Sequence, residues 1–78
     1  MTSTYDQLVE IVTKLHNPPA DLIRPDVTFA QLDVDSLTLV EISLRIEGDL
    51  GIRIEDNELE EDLTLAATTQ LIDAKLAQ

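Results

Sequence analysis

Apolar residues recur at helical spacing in three stretches of the chain and lose that period between them. In the first stretch Tyr5, Leu8, Val9, Val12 and Leu15 share one helical face. Thr4 followed by Gln7 fits a capping box, so a helix is expected over residues 4–16. Asn17-Pro18-Pro19 stops it, because proline cannot continue the hydrogen-bond ladder and restricts the residue before it. Residues 17–34 form a long connection with no period of its own. Its apolar side chains, Leu22, Ile23, Val27, Phe29, Leu32 and Val34, read as pins across the helices. Phe29, the only phenylalanine, is expected to insert into the core.

Asp35 caps a second helix that runs to about Leu50, with Gly51 as its terminator. Two faces of this helix are apolar. Leu39, Ile42, Ile46 and Leu50 form one stripe, while Leu37, Val40 and Leu44 form another. One stripe must face the core, which leaves the other for a partner. Ile52 and Ile54 lead to Asp56, a cap for a short helix around residues 57–61. Thr64 caps a last helix over residues 65–77, with Leu65, Thr69, Ile72 and Leu76 on its apolar face. Ile52-Arg53-Ile54 alternates too briefly for a sheet. The expected fold is all-α: a small four-helix bundle of three longer helices and one short, with a long loop between the first and second.

Composition narrows what such a bundle can do. Seventy-eight residues, 44% of them hydrophobic, make one small domain with a single thin core. Five basic and sixteen acidic side chains leave a formal net charge of -11, so stability should improve as salt screens the surface. That charge repels phosphate backbones and makes nucleic acid an improbable partner. No run approaches the roughly 18 apolar residues that span a membrane. The residues from Met1 to Asp6 carry no basic side chain and lead to no apolar stretch, so no signal peptide is visible and a cytoplasmic monomer is expected. With no cysteine and a single histidine, His16, thiolate chemistry and multi-histidine metal sites are excluded.

The pattern forces no pair of carboxylates into an apolar pocket, and His16 at a helix end has an ordinary role as a terminal charge or hydrogen bond. No catalytic residue is assigned. The acidic run Glu58, Glu60, Glu61, Asp62 is most simply a solvated face. Asp33-Val34-Asp35 begins like a calcium loop, but Leu37 and Thr38 stand where a ligand and a glycine are required. No metal site is assigned either. Ser36 is different. It follows a long loop at a helix start, where free N–H groups and the positive end of the helix dipole favour a phosphate ester. No base is evident beside it, so it reads better as a group modified by another enzyme than as a nucleophile in its own right. The plain alternative is an ordinary capped helix start.

The run Phe29-Ala30-Gln31-Leu32-Asp33-Val34-Asp35-Ser36-Leu37 resembles the segment around the modified serine of acyl carrier proteins. Val40-Glu41, Leu50-Gly51-Ile52-Arg53-Ile54, Asp56 and Thr64-Leu65 continue the likeness across nearly the whole chain. The resemblance implies a single acyl carrier domain over residues 1–78, free-standing and not an enzyme. It implies that Ser36 bears 4'-phosphopantetheine, transferred covalently from coenzyme A by a phosphopantetheinyl transferase. The prosthetic group would supply the thiol this chain lacks and hold acyl groups as thioesters. The outer stripe, Leu37, Val40 and Leu44, flanked by Asp35, Glu41 and Glu47, resembles the family's recognition surface. Its partners would be a ketosynthase, an acyltransferase and other enzymes of polyketide or fatty acid synthesis, docking transiently through basic patches.

The sequence also departs from the family at several positions. Asp33 stands where glycine is usual, Gly48 where an acidic residue is frequent, and Glu55 where proline is frequent. Arg45 adds a cation near the recognition face. A peptidyl or aminoacyl carrier, and an acidic helical interaction module without a prosthetic group, are the competing readings.

Overall fold

A computed structural model of the chain describes residues 3–78; Met1 and Thr2 lie outside the described residues. Within them the molecule is all-helical. Its helices are α1 (Thr4–His16), α2 (Ser36–Leu50) and α3 (Leu65–Leu76), with single 3-10 turns at Ala20–Leu22 and Ala30–Leu32 in the first connection. α1 packs against both α2 and α3. None of these helices is long and apolar enough to cross a membrane.

Each helix starts on a side-chain cap that takes up an N–H the helix cannot satisfy internally. For α1 the cap is Ser3, one residue earlier than the expected Thr4. Ser3 Oγ accepts the Asp6 N–H at 3.1 Å, and the Ser3 carbonyl accepts the Gln7 N–H at 3.0 Å. Asp35 and Thr64 cap α2 and α3 as read from sequence. Two helices end on left-handed residues, α1 on Asn17 at φ 52° and α2 on Gly51 at φ 67°.

The short helix expected at 57–61 is absent, and turns take its place. Glu58 is the reason. Its N–H donates to the Glu55 carbonyl at 3.0 Å, and its Oε1 accepts the Glu55 N–H at 2.8 Å. The same oxygen pairs with Lys75 Nζ at 2.8 Å, which ties the turn to the end of α3. The chain therefore closes on itself, and Leu63 N–H to the Glu60 carbonyl at 3.1 Å makes a second turn. The fold has three helices, not four.

One core joins these elements. α1 contributes Leu8, Ile11 and Val12, α2 contributes Leu39, Ile42 and Ile46, and α3 contributes Leu65 and Ile72. The connections add Val27, Phe29, Leu32, Val34, Ile54 and Leu59. Phe29 is wholly buried, as expected, and that burial stabilises by about 1.5–3 kcal/mol. Leu22 is no pin, because it stays 38% exposed. The buried face of α3 is rotated from the expected one: Thr68 is inside, while Leu76 is exposed. Thr68 can be buried because its hydroxyl donates to the Thr64 carbonyl at 2.8 Å. Tyr5 is half-buried on α1, and burial, then Asp6 and Asp26, raise its phenol above the ordinary value.

The first connection is stitched to the approach of α3 by backbone bonds. Thr28 and Thr64 form an isolated antiparallel bridge. Phe29 N–H donates to the Leu63 carbonyl at 3.3 Å, and Leu65 N–H to the Val27 carbonyl at 3.0 Å. Ala30 N–H reaches the Glu61 carbonyl, and Ala66 N–H the Pro25 carbonyl, both at 2.8 Å. These bonds satisfy backbone groups that a buried loop would otherwise leave unpaired. They also hold the segment before α2 in one place.

Candidate functional site

The segment leading to Ser36 is built as a rigid platform. Thr28 and Gln31 cap one another across the 3-10 turn: Thr28 N–H donates to Gln31 Oε1 at 3.0 Å, and Gln31 N–H to Thr28 Oγ1 at 3.1 Å. His16 Nε2 donates to the Leu32 carbonyl at 2.7 Å, pinning the turn to the end of α1. The histidine is thus a brace within the fold. Asp33 then reverses the chain in the left-handed region, at φ 61° and ψ 28°. The buried Val34 anchors the reversal, and its N–H donates to the Phe29 carbonyl at 3.0 Å.

Asp35 is extended, and its Oδ1 accepts the Thr38 N–H at 2.8 Å. The bonds from the Thr38 backbone and side chain hold its carboxyl below the ordinary value, with His16 charge and the Leu37 N–H adding to the effect. A lowered folded-state value means the cap is complete above the ordinary carboxylate range and is lost as pH falls through the depressed value. Ser36 is the first residue of α2 and is exposed. Its hydroxyl makes no hydrogen bond to another described residue.

Two hollows meet at Ser36. One, of about 390 Å³, runs between α2 and residues 54–59, over Leu39, Ile54 and Leu59, with Ser43 and Glu47 along its length. The other, of about 570 Å³, opens toward Ala30 and the acidic residues 60–62. Leu39 and Leu59 belong to both. Leu59 was not singled out from sequence. Its signal was one apolar residue inside an acidic run.

The outer stripe of α2 lies in solvent, with Leu37 69%, Val40 54% and Leu44 60% exposed. Glu41 is exposed beside them. Asp35 is exposed, but its carboxylate is engaged at the cap. Glu47 stands apart from this group: its Oε2 accepts the Ile54 N–H at 2.8 Å, and the side chain is partly buried. It braces the wall of the first hollow. Arg45 pairs with Asp49 one turn on, at 3.0 Å, so its charge is locally compensated.

Every basic side chain is paired in this way. Lys14 meets Glu10, Arg24 meets Asp26, Arg53 meets Glu55, and Lys75 meets Glu58. Of the sixteen carboxylates, eleven have no cation beside them among the described residues, and eight of those fall between Asp33 and Asp62. The negative potential therefore concentrates on the part of the molecule that carries Ser36.

Comparison with known proteins fits this geometry. A family model described as "Phosphopantetheine attachment site" matches residues 6–72, which includes all of α2 and the connections on either side. The chain belongs to the phosphopantetheine-attachment family. Its prosthetic group is 4'-phosphopantetheine, and the family's members are carriers without catalytic activity. An acyl carrier protein of Petrotoga mobilis is 33% identical over 73 residues, covering 92% of this chain and 86% of that one. Polyketide-8 synthase acyl carrier protein 2 of Streptomyces avermitilis is 35% identical over 72 residues, covering 91% and 83%. The tetracenomycin polyketide synthase acyl carrier protein of Streptomyces glaucescens is 39% identical over 59 residues, covering 68% and 69%. Within this family the likeness at Asp35-Ser36-Leu37 extends over the whole fold.

Proposed function

We propose that this chain is a single acyl carrier domain of polyketide or fatty acid synthesis, with Ser36 as the attachment point of 4'-phosphopantetheine. The observation that carries the assignment is the difference between the two serines inside the matched segment. Ser43 lies in the middle of α2, where its hydroxyl donates to the Val40 carbonyl at 2.8 Å. Ser36 stands at the exposed start of the helix with an uncommitted hydroxyl.

The surroundings of Ser36 fit the group. The positive end of the α2 dipole favours a phosphodiester at its first residue. The apolar walls of the adjoining hollow, Leu39, Ile54 and Leu59, offer a surface on which an aliphatic arm can lie. When bound, the group supplies the thiol that holds the cargo. Asp35 is committed to Thr38 and cannot serve as the base, so deprotonation of Ser36 falls to the transferase. Leu37, Val40, Glu41 and Leu44 form an apolar ridge with acidic flanks, suited to brief docking on ketosynthase, acyltransferase and related enzymes through basic patches. A cytoplasmic location accords with this role.

Intact mass after incubation with coenzyme A and a broad-specificity phosphopantetheinyl transferase tests the reading. The wild-type chain should gain one phosphopantetheinyl group. Ser36→Ala should gain none while keeping its helical circular dichroism. Modification of the Ser36→Ala chain, or none of the folded wild type, would overturn the assignment.

A further inference from the structure

The chain has two glycines, and both sit at the end of α2. Gly51 is required there by its left-handed backbone at φ 67°. Gly48 is not. It lies inside the helix without a positive φ, and a Cβ added to it would meet nothing within 4 Å. Glycine weakens a helix interior relative to alanine. Neither conformation nor packing in this fold explains its presence.

Its position does. At 100° per residue, Leu37, Glu41, Leu44 and Gly48 follow one another along the solvent ridge of α2, opposite the buried Leu39, Ile42 and Ile46. The ridge is apolar and acidic where it starts and bare backbone where it ends. Beyond the bare point lies the negative end of the helix dipole. α2 has no basic residue in its last turn. Gly51 N–H donates to the Glu47 carbonyl, but the carbonyls of Gly48, Asp49 and Leu50 take no backbone hydrogen bond among the described residues. This end of the helix is suited to receive a cation from outside.

We propose that Gly48 is a contact point for the transferase that modifies Ser36, where a long basic side chain crosses α2 and reaches the carbonyls of its last turn. This rests on the carrier reading above. The transferase is the occupant that the charges select. Its donor, coenzyme A, is a polyanion, and its acceptor carries a net charge of -11. Only a cationic enzyme surface can bring the two together. Gly48 is twelve residues from Ser36, roughly 18 Å along the helix axis, which is within the footprint of a standard interface. A side chain at position 48 would lift the crossing residue off the backbone.

The test is steady-state modification of the chain by a broad-specificity phosphopantetheinyl transferase, comparing wild type with Gly48→Ala and Gly48→Leu. Thr13→Ala, on the exposed face of α1, is the control, since it also improves helix propensity. Both alanine variants should raise the unfolding midpoint. Only the Gly48 variants should raise the transferase KM, by roughly fivefold to tenfold for leucine and less for alanine, with kcat unchanged. The KM should also lose part of its dependence on salt. If both Gly48 variants keep the wild-type KM while the wild type is modified normally, the contact does not exist. If the wild type itself is not modified, the carrier reading fails first, and the two failures are distinguishable.

Discussion

Asp33 holds a left-handed backbone two residues before the helix that starts at Ser36. An L-residue there is strained by up to about 1–2 kcal/mol, less for aspartate, which can bond locally. Glycine would remove the strain but add freedom to the unfolded chain, an opposing cost of about 0.5–1 kcal/mol. Asp33→Gly should therefore change stability by no more than about 1 kcal/mol, with the sign in favour of glycine. Asp33→Val should destabilise by about 2 kcal/mol, because a β-branched side chain fits this region worst. Urea midpoints of the three proteins should fall in the order glycine, aspartate, valine. A valine variant as stable as wild type would mean that the turn can reform elsewhere in φ. The need for a left-handed residue here was legible as a departure from a glycine pattern. The commitment of Glu47 was not. It read as one more charge for a partner, because the N–H that it binds lies seven residues away and leaves no mark on the local pattern.

At the scale of elements, the caps mark where the sequence could be read and where it could not. Asp35, Gly51 and Thr64 set the limits of α2 and the start of α3, since each is the residue type its backbone position demands. Thr64 Oγ1 accepts the Ala67 N–H at 3.0 Å, and the residue also bridges to Thr28. Thr64→Ala should cost about 1 kcal/mol and lower the unfolding midpoint by about 4–8 °C. Faster exchange of the Ala67 amide should accompany the loss; an unchanged amide would place the cost in the bridge. What the pattern missed are features made by contact. The turn at Glu58 depends on Lys75 from α3, and Asp56 imitates a helix cap without a helix to follow. The seam between residues 25–30 and 61–66 has no alternation of side chains, because it joins loops whose apolar residues point to the core singly. α3 turns its Thr68 inward only because the Thr64 carbonyl can take the hydroxyl, a compatibility that no hydrophobic period records.

For the whole molecule, the governing fact is that five cations are each matched by a neighbour while eleven carboxylates are not. Exposed pairs are worth little, so the unmatched charges dominate the response to salt. Raising salt from about 10 mM to about 150 mM shortens the screening length from roughly 30 Å to roughly 8 Å. Over that range the unfolding midpoint should rise, because repulsion is relieved. Modification by the transferase should slow, because attraction between enzyme and chain is relieved too. Opposite slopes from one preparation, followed by circular dichroism and by intact mass, would separate stability from docking. Parallel slopes would mean that the acidic surface does not guide the encounter.

Tyr5 gives the molecule a built-in optical reporter. The chain has no tryptophan and one tyrosine, and that residue is half-buried on the helix against which both others pack. Its emission therefore originates at a single known place, with Asp6 and Asp26 as its acidic neighbours. Loss of α1 from the core would change that signal with no label attached. Because Tyr5 is not on α2, a tryptophan placed at an exposed position of α2 would report docking in a separate band, and the two events could be timed in one cuvette.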